Sequence, residues 1–588
     1  MRLPSVPSFV TRTKSIDQLR AQAERSLLPR SLTVLDLTFF GIGAIIGAGI
    51  FSTIGTAAAG NEDDGRPGAG PALVISFLIT AVACGFTAFC YAELASMIPI
   101  AGSAYTYAYA TLGEVMAWII GWDLVLEYAV SNVAVAISWG DYANALLGLA
   151  GAPVPPWLAM DPRSAMRLTP AGEELQLGRY ALYAAARDGS VNGSAVFQHW
   201  SVLESAPSVG GVPLTCNVLA ACVTAVVTLL CYRGIRESAK ANAVMVVIKL
   251  VILAIVVVVG APKVDAANLA PFAPNGLAGV QAGAAIIFFA FIGFDAVSTT
   301  AQECKDPGRD LPRGIIGSLV VCTVVYVAVT VVVLGMVPYT QLAGLADPLS
   351  YVFQAHGLSG LAGLVAVGAV IATTASLLVY QLGQPRILMA MSHDGLLPAW
   401  FGKVHPRYGT PGNSTLLTGF MVALPAALMD ISEVVELSNI GTLFAFAVVC
   451  IGVLVLRRKR PDAERTFRVP AVWAVAPAGV VSCMWLASGL PLLTWVRFLL
   501  WLAVGMVVYL GYGRTRSMLS PSSRHSVYMQ NLDDVSDAFD DATHELDEAQ
   551  PHAHRHDRSA LTAASAPLEG QQPFARPLPA CRDSSLGP

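Results

Sequence analysis

Charged residues are scarce in this chain of 588 residues: Asp, Glu, Lys and Arg make up 13% of it, against 55% hydrophobic residues. A soluble protein of this length does not need so large an apolar fraction, so the composition excludes an ordinary soluble protein. The net charge of −4 also lacks the positive excess that is typical of nucleic-acid-binding proteins. We therefore expect a membrane protein whose surroundings are the lipid bilayer and which has no nucleic-acid partner.

The sequence also lacks the residue patterns of enzymes and metalloproteins. Its ten cysteines are scattered, mostly inside apolar runs, without the spacing of a disulfide framework or a metal site. The apolar runs contain no nucleophile–base set. We predict no metal, no cofactor and no enzymatic activity. Residues 1–33 are polar and basic, so we also predict no cleavable signal peptide.

Apolar runs long enough to cross a bilayer, about 20 residues, occur twelve times. Their predicted limits are 34–58, 71–95, 114–148, 214–231, 241–260, 280–300, 314–336, 359–382, 413–429, 437–456, 472–489 and 495–512. Lys and Arg concentrate in alternate connections, which predicts the cytoplasmic side by the positive-inside rule. An even number of spans then places both termini in the cytoplasm. We predict an all-α, multi-pass protein of the plasma membrane.

Lys249 lies in the otherwise uncharged run 242–260, nine residues after Lys240, or roughly 13 Å along a helix. This depth is too great for easy snorkelling out of a hydrocarbon core about 30 Å thick. A lysine there costs a few kcal/mol and is therefore expected to face the protein interior and to serve a function. A snorkelling lysine remains the alternative.

The first predicted span contains four glycines in nine residues, from Gly41 to Gly49. Such a density is costly in a helix, at nearly 1 kcal/mol each relative to alanine. One interpretation is close helix packing through the pair Gly43 and Gly47. The other is a helix interrupted in mid-membrane, where the N–H groups at Gly47–Gly49 begin a second half-helix and bind a carboxylate.

The sixth predicted span pairs Gly293 with Asp295 in the middle of an apolar run. An unwound segment here would free the carbonyls of Phe289, Ala290 and Ile292 to accept hydrogen bonds from an ammonium group. The two glycine breaks are five spans apart. This offset predicts two copies of a five-helix unit, inserted in opposite senses, whose broken helices meet at the bilayer midplane.

Three segments carry a family resemblance: GIGAIIGAGIF at 41–51, FFAFIGFDAVSTTAQE at 288–303 and QPRILMAMSHDGLLP at 384–398. With these motifs the chain, over roughly residues 30–512, resembles the amino acid–polyamine–organocation superfamily, and more narrowly the cationic amino acid transporter family. The resemblance implies a LeuT-like 5+5 inverted repeat with helices 1 and 6 broken and two helices appended. It also implies alternating access around a substrate held between spans 1 and 6.

The predicted segments follow from this fold. They are a cytoplasmic segment 1–33, a first repeat 34–260 with a long outer loop 150–213, a second repeat 280–456, helices 11 and 12 in 472–512, and a disordered cytoplasmic tail 515–588. Span 8 supplies small residues, Thr373 among them, at the level where the family sets side-chain selectivity.

The family's site residues transfer to matching positions of this chain. The resemblance implies that Gly47, Ala48 and Gly49 bind the substrate carboxylate, and that the carbonyls of Ile45, Phe289, Ala290 and Ile292 bind its amino group. Phe289 is also expected to act as an aromatic gate. Lys249 matches the lysine that replaces sodium in sodium-independent members, and is expected to bridge carbonyls of spans 1 and 8.

For each of the other sets of ionisable residues, two interpretations remain open. Asp123 and Glu127 share one face of span 3 and suit a proton carrier, or they lie solvated in a vestibule. Asp295 is a partner for a cationic side chain, or a structural cap. Glu93 and Arg386 form an inner gate, or a plain salt bridge at the membrane surface.

We therefore predict a sodium-independent secondary transporter that moves amino acids, with cationic ones as a candidate class. The alternatives are an amine or polyamine permease, which handles substrates without a carboxylate, and a transporter-like amino acid sensor. The sequence predicts a small-molecule substrate and leaves the oligomeric state open.

Overall fold

The structure is a computed structural model that describes residues 12–16, 19, 30–61, 65–100, 102–175, 178–234 and 239–520. The predicted disordered tail 515–588 falls outside the described residues from 521 onward, and most of the segment 1–33 also falls outside them. The described part is almost entirely helical, with two short β-hairpins. This content agrees with the predicted all-α class.

The α-helices follow one another along the described chain. They are α1 (Val34–Ile45), α2 (Ala48–Ala59), α3 (Leu73–Met97), α4 (Ser103–Thr111), α5 (Glu114–Leu149), α6 (Pro162–Ala165), α7 (Pro170–Glu174), α8 (Arg179–Arg187), α9 (Gly193–Val196), α10 (Trp200–Ser205), α11 (Val218–Tyr232), α12 (Ala239–Gly260), α13 (Gly276–Ile287), α14 (Pro307–Met336), α15 (Pro348–Ala355), α16 (Ser359–His393), α17 (Gly412–Leu428), α18 (Ile431–Lys459), α19 (Val472–Ser488), α20 (Leu492–Val508) and α21 (Arg514–Arg516).

Shorter elements connect or extend these helices. The 3₁₀ helices are Gly70–Ala72, Pro156–Leu158, Ala261–Lys263, Ala266–Leu269, Phe288–Phe291, Asp295–Glu303, Tyr339–Leu342 and Ala399–Gly402, and Tyr509–Gly513 is a π-helical turn. The strands pair as two antiparallel hairpins, β1 (Gly60–Asn61) with β2 (Arg66–Pro67) and β3 (Ser208–Val209) with β4 (Val212–Pro213).

Eight helices of the described part are long and apolar enough to cross a membrane, and the bent pair α1–α2 makes a ninth. Each of the twelve predicted runs overlaps a helix. Three of these helices, α11, α17 and α19, have only 15, 17 and 17 residues. They are shorter than the roughly 20 residues that a perpendicular span needs. The structure thus supports a polytopic membrane protein, and the count of twelve spans stays a prediction.

The long helix α5 packs against α11, α16, α17 and α18, and α14 packs against α1 and α3. Buried amides hold the first set together: Asn132 of α5 donates to Gln381 Oε1 of α16 at 2.6 Å, and Gln381 donates to Thr228 of α11 at 3.1 Å. α13 also packs against α3, and Ser76 of α3 donates to Val280 O of α13 at 2.8 Å. Because an unpaired polar group is expensive in a bilayer, such bonds fix which helices are neighbours.

The predicted outer loop folds as a small unit with its own core, made of Ala165, Met166, Leu182, Tyr183, Ala186, Val196, Phe197, Val202 and Leu203. We call residues 155–213 the lid. It contains α6 to α10 and the hairpin β3–β4. The sequence predicts only a long loop here, because these helices are too short for their periodicity to stand out.

Candidate functional site

The first break in the backbone lies between α1 and α2, whose axes are bent by 42°. Ile46 and Gly47 leave the helical conformation, and no side chain in the described part caps the first turn of α2. A Cβ on Gly47 would lie 2.5 Å from Ser376 Oγ, and one on Gly49 would lie 2.3 Å from Ala290 Cα. The open N–H groups of α2 therefore lie on a tightly packed backbone, in the geometry that suits an anion.

The second break follows α13. The chain passes through the 3₁₀ turn Phe288–Phe291, an extended Ile292 and Gly293 with φ +120°, before the 3₁₀ helix that begins at Asp295. Only glycine adopts this φ without strain. Asp295 Oδ1 accepts a hydrogen bond from the Gly293 N–H at 3.2 Å. This contact favours the interpretation of Asp295 as a cap for its own segment.

The two breaks are joined by Tyr326 of α14. Its hydroxyl lies 2.9 Å from Ile45 O and 2.8 Å from Ala290 O, so one proton is shared between two carbonyls that the sequence assigns to the substrate's amino group. Tyr326 is not among the residues predicted from the sequence. A buried tyrosine hydroxyl inside an apolar run requires a partner, and that requirement was the available signal.

Lys249 of α12 is fully buried, which excludes the snorkelling interpretation. Its Nζ donates to Gly43 O and to Ile46 O, both at 2.8 Å. Ser376 of α16 lies 3.4 Å from the same Gly43 oxygen. The lysine thus donates to two carbonyls at the end of α1, and Ser376 of the predicted span 8 contacts one of these carbonyls through its hydroxyl. The predicted bridge from Lys249 to a carbonyl of span 8 stays a prediction.

Phe289 is 5% exposed and lies in the second break, next to Ala290, whose backbone faces Gly49. Its carbonyl accepts from the Ile292 N–H at 3.3 Å. Thr373 of α16 is buried, and its hydroxyl donates to Ala369 O of the same helix at 2.7 Å. The structure therefore brings Phe289 to the meeting point of the breaks, whereas the Thr373 hydroxyl bonds its own helix.

Asp123 and Glu127 of α5 are 0% and 1% exposed, so the alternative of solvated vestibule residues is wrong for this conformation. Within the described part, neither oxygen of Asp123 has a hydrogen-bond partner, nor has Oε2 of Glu127. The hydroxyls of Tyr91 and Tyr128 are also without one. A buried polar group without a partner is costly, so this cluster is a place where a proton, a water molecule or a ligand group would be stabilised.

Glu93 does not pair with Arg386, so the predicted inner gate is corrected. Its Oε1 accepts from Arg457 Nε at 2.9 Å and Arg465 Nε at 3.1 Å, and its Oε2 accepts from Arg457 Nη2 at 2.6 Å and Val469 N at 2.8 Å. Arg457 in the last turn of α18 and the segment after that helix thus reach the end of α3 and saturate the carboxylate. Arg386 instead lines a cavity of about 470 Å³.

At that cavity the structure shows an ionic contact that is not predicted from the sequence. Lys14 forms an ion pair with Asp394, to which Tyr105 also donates at 2.6 Å. Close by, Ser517 donates to Glu114 at 2.6 Å. Asp394 follows directly after α16 in the segment 384–398, so a charged turn at a helix end was the available signal.

The comparisons with known proteins agree with this architecture. The model of the amino acid permease family matches residues 32–511. The methylthioribose transporter of Bacillus subtilis is 40% identical over 87% of this chain and 100% of its own length, and the branched-chain amino acid permease BcaP of the same organism is 41% identical over 87% and 99%. The vacuolar cationic amino acid transporter 2 of Arabidopsis thaliana is 36% identical over 77% of this chain and 64% of its own length.

These matches span both breaks, Lys249 and the helices that hold them, and the relatives are transporters. The chain therefore belongs to the amino acid permease family of the amino acid–polyamine–organocation superfamily.

Proposed function

We propose that this protein is a secondary amino acid transporter that works without sodium, by alternating access across the plasma membrane. The observation that carries the proposal is the Lys249 ammonium on the carbonyls of Gly43 and Ile46. A permanent cation at the end of α1 does what a bound metal cation does elsewhere: it compensates the negative end of the half-helix.

The substrate's two charged groups fit the two breaks. Its carboxylate meets the N–H groups at Gly47, Ala48 and Gly49, where α2 begins with its positive dipole end. Its ammonium takes carbonyl oxygens of Ile45 and Ala290, which Tyr326 now satisfies. The tyrosine hydroxyl must yield to the incoming ammonium, which makes it a placeholder for the substrate.

Further carbonyls and a side-chain site complete this arrangement. Ile292 O lies in the extended part of the second break, and Phe289 closes over the substrate as a gate. The substrate's side chain points toward the buried cluster around Asp123 and Glu127, where carboxylate oxygens without a partner suit a cationic or protonated group. Thr373 contributes packing volume, because its hydroxyl is already bonded.

The architecture that we propose is the LeuT-like inverted repeat with twelve helices. Its support is that the breaks fall in the first and sixth predicted spans, and that polar contacts join α5, α11 and α16 in one group and α3 and α13 in another. The repeats are 34–260 and 280–456, with 472–512 appended. Both termini lie in the cytoplasm, so the lid faces outside.

The test is uptake of radiolabelled arginine and leucine into proteoliposomes, with sodium replaced by choline and with the other amino acids as competitors. We expect saturable uptake that is unchanged by the replacement. Strict sodium dependence contradicts the proposal, and so does the absence of uptake for every amino acid. Measurable binding without flux identifies a sensor instead.

Methylthioribose and putrescine belong in the same competition assay. A relative at 40% identity is named a methylthioribose transporter, and polyamines lack the carboxylate that α2 would bind. Because neither compound has both an α-carboxylate and an α-ammonium, we expect neither to compete at concentrations that saturate uptake. Strong inhibition by either one favours that substrate class over amino acids.

A further inference from the structure

The largest structural addition to the membrane helices is the lid, and it encloses a cavity. The cavity has a volume of about 350 Å³ and is lined by residues of α2, α5, the lid and the segment that precedes α18. Ser52 and Thr56 belong to its wall. They lie one and two turns beyond Gly49 on α2, so the cavity lies on the lid side of the first break. Its size is within the range of small-molecule sites.

Specific contacts bind the lid to Asp430 and to the start of α18. Ser164 of α6 donates to Asp430 at 2.8 Å, Arg167 lies 3.7 Å from the same carboxylate, and Arg163 forms an ion pair with Glu433 at the start of α18. Together with the lid's own hydrophobic core, these contacts hold the cavity wall in a defined geometry. The shape of the cavity is therefore fixed by specific contacts of the fold.

The charge of the lining is strongly one-sided. Four carboxylates, those of Asp141, Asp161, Glu173 and Asp430, face one guanidinium, that of Arg167. The guanidinium already faces Asp430. His199 also lines the cavity, and burial together with Arg167 lowers the pKa of its imidazole, so it is neutral near pH 7. The lining thus holds four carboxyl groups against one guanidinium, and burial raises the pKa of the Asp161 carboxyl.

Two of these carboxylates have only neutral donors. Asp141 accepts from the Asn217 side-chain amide at 3.3 Å, and Asp161 accepts from the backbone N–H groups of Arg163 and Ser164, both at 2.9 Å. In the part of the chain that the structure describes, neither forms an ion pair within 4.0 Å. Both carboxylates line the same cavity. A cation between them would be attracted by both.

We propose that this cavity is a second binding site for the substrate, in which Asp141 and Asp161 hold the ammonium or guanidinium of a cationic amino acid before it reaches Gly47–Gly49. The inference rests on the proposed function and names its substrate class. The lid provides a site where charge is selected, and the breaks provide the site where the amino acid backbone is bound.

The experiment measures equilibrium binding of labelled arginine and labelled leucine to the full chain in nanodiscs. The background is Gly49→Val, which blocks the central site because its side chain would meet Ala290. We expect this variant to retain arginine binding and to lose leucine binding. Adding Asp141→Asn and Asp161→Asn, which keep the hydrogen-bond acceptors, should weaken the remaining arginine binding by about tenfold or more.

The matched control is Asp188→Asn, which alters an exposed carboxylate of the same lid whose hydrogen bond is to Ser190 in its own turn. It should leave arginine binding unchanged. In an otherwise wild-type chain, the two cavity substitutions should raise the KM for arginine uptake about tenfold and leave the KM for leucine unchanged. A merely structural role of the aspartates would move both KM values together.

Two results overturn the inference: Gly49→Val binds no arginine, or its arginine binding is unaffected by the loss of both cavity charges. Failure of the proposed function looks different. In that case Gly49→Val transports leucine like the wild type, or the wild type transports no amino acid at all, whereas the cavity aspartates are judged by arginine binding alone.

Discussion

The two breaks of the backbone are stabilised in different ways. At the first, the open carbonyls of Gly43 and Ile46 receive an ammonium from another helix, α12. At the second, the backbone is satisfied mainly by its own segment, through the Asp295 carboxylate on the Gly293 N–H. One break is therefore anchored to a neighbouring helix by a charge, and the other is capped locally.

This difference predicts which break is more sensitive to substitution. A charged contact between α1 and α12 changes whenever the first break moves relative to α12, whereas a local cap travels with its own segment. Tyr326 is the direct polar link between the two, through Ile45 O and Ala290 O. We therefore expect the first break to be the more sensitive to substitution, and the effects to decrease from there to the second break and to the link.

The largest effect is expected at Gly49. Gly49→Val adds atoms where even a Cβ would lie 2.3 Å from Ala290 Cα, so it forces the breaks apart and fills the carboxylate site. Uptake should fall to below about 1% of the wild type, with membrane insertion preserved. The control is Gly85→Val on α3, where a Cβ meets nothing within 4 Å. Normal transport by Gly49→Val would show that the glycines serve only helix packing.

At the second break, Phe289→Ala should weaken substrate affinity by about tenfold, because an aromatic gate excludes water and contributes stacking or cation–π contact. The measurement is the KM for uptake together with the efflux rate of preloaded substrate. Phe420→Ala, on a phenylalanine that is 64% exposed on α17, is the control. If affinity and rate are both unchanged, Phe289 is not the gate.

A pair of substitutions at Asp295 separates a cap from a partner for the substrate's side chain. Asp295→Asn keeps an acceptor for the Gly293 N–H, so uptake of leucine and arginine should stay within about threefold of the wild type. Asp295→Ala leaves that N–H unsatisfied and should lower the free energy of unfolding by about 1–3 kcal/mol. Selective loss of arginine uptake in Asp295→Asn would instead identify Asp295 as a charge partner.

Among the substitutions that remove a contact, the smallest effect on uptake is expected at the link. Tyr326→Phe removes one hydroxyl that is shared by two carbonyls, a contribution of about 1 kcal/mol, so uptake should change by no more than about fivefold. Tyr180→Phe, on a lid residue that is 57% exposed, is the control. A loss as large as that of Gly49→Val would show that the hydroxyl is indispensable and that the two breaks depend on each other more than the comparison allows.

The positions of both breaks could be predicted from the sequence, because glycine in an apolar helix is costly wherever it is not needed. The same holds for the burial of Lys249, since a charge in hydrocarbon must find an interior partner. Which carbonyls it binds depends on how α12 packs against α1, and no local pattern encodes that packing.

The features that could not be predicted from the sequence also depend on tertiary packing. Glu93 was predicted beside Arg386 because both lie near span ends, but the last turn of α18 and the segment after it bring Arg457 and Arg465 to Glu93. The lid's core is assembled from helices of four to nine residues, too short for a periodic signal. Asp123 and Glu127 have the predicted common face, whereas their burial follows from the packing of α5 at the centre of the bundle.

The central claim is that the Lys249 ammonium replaces a sodium ion, and uptake by Lys249 variants in the presence of sodium or choline tests it most directly. Lys249→Ala removes two charge-assisted hydrogen bonds, at about 1.5–3 kcal/mol each, so uptake should fall at least about 100-fold in both media. Lys249→Arg keeps the charge with a different geometry and should fail in part. Lys263→Ala, at the exposed end of the same helical run, should behave as the wild type. Full activity of Lys249→Ala, or strict sodium dependence of the wild type, would contradict the account.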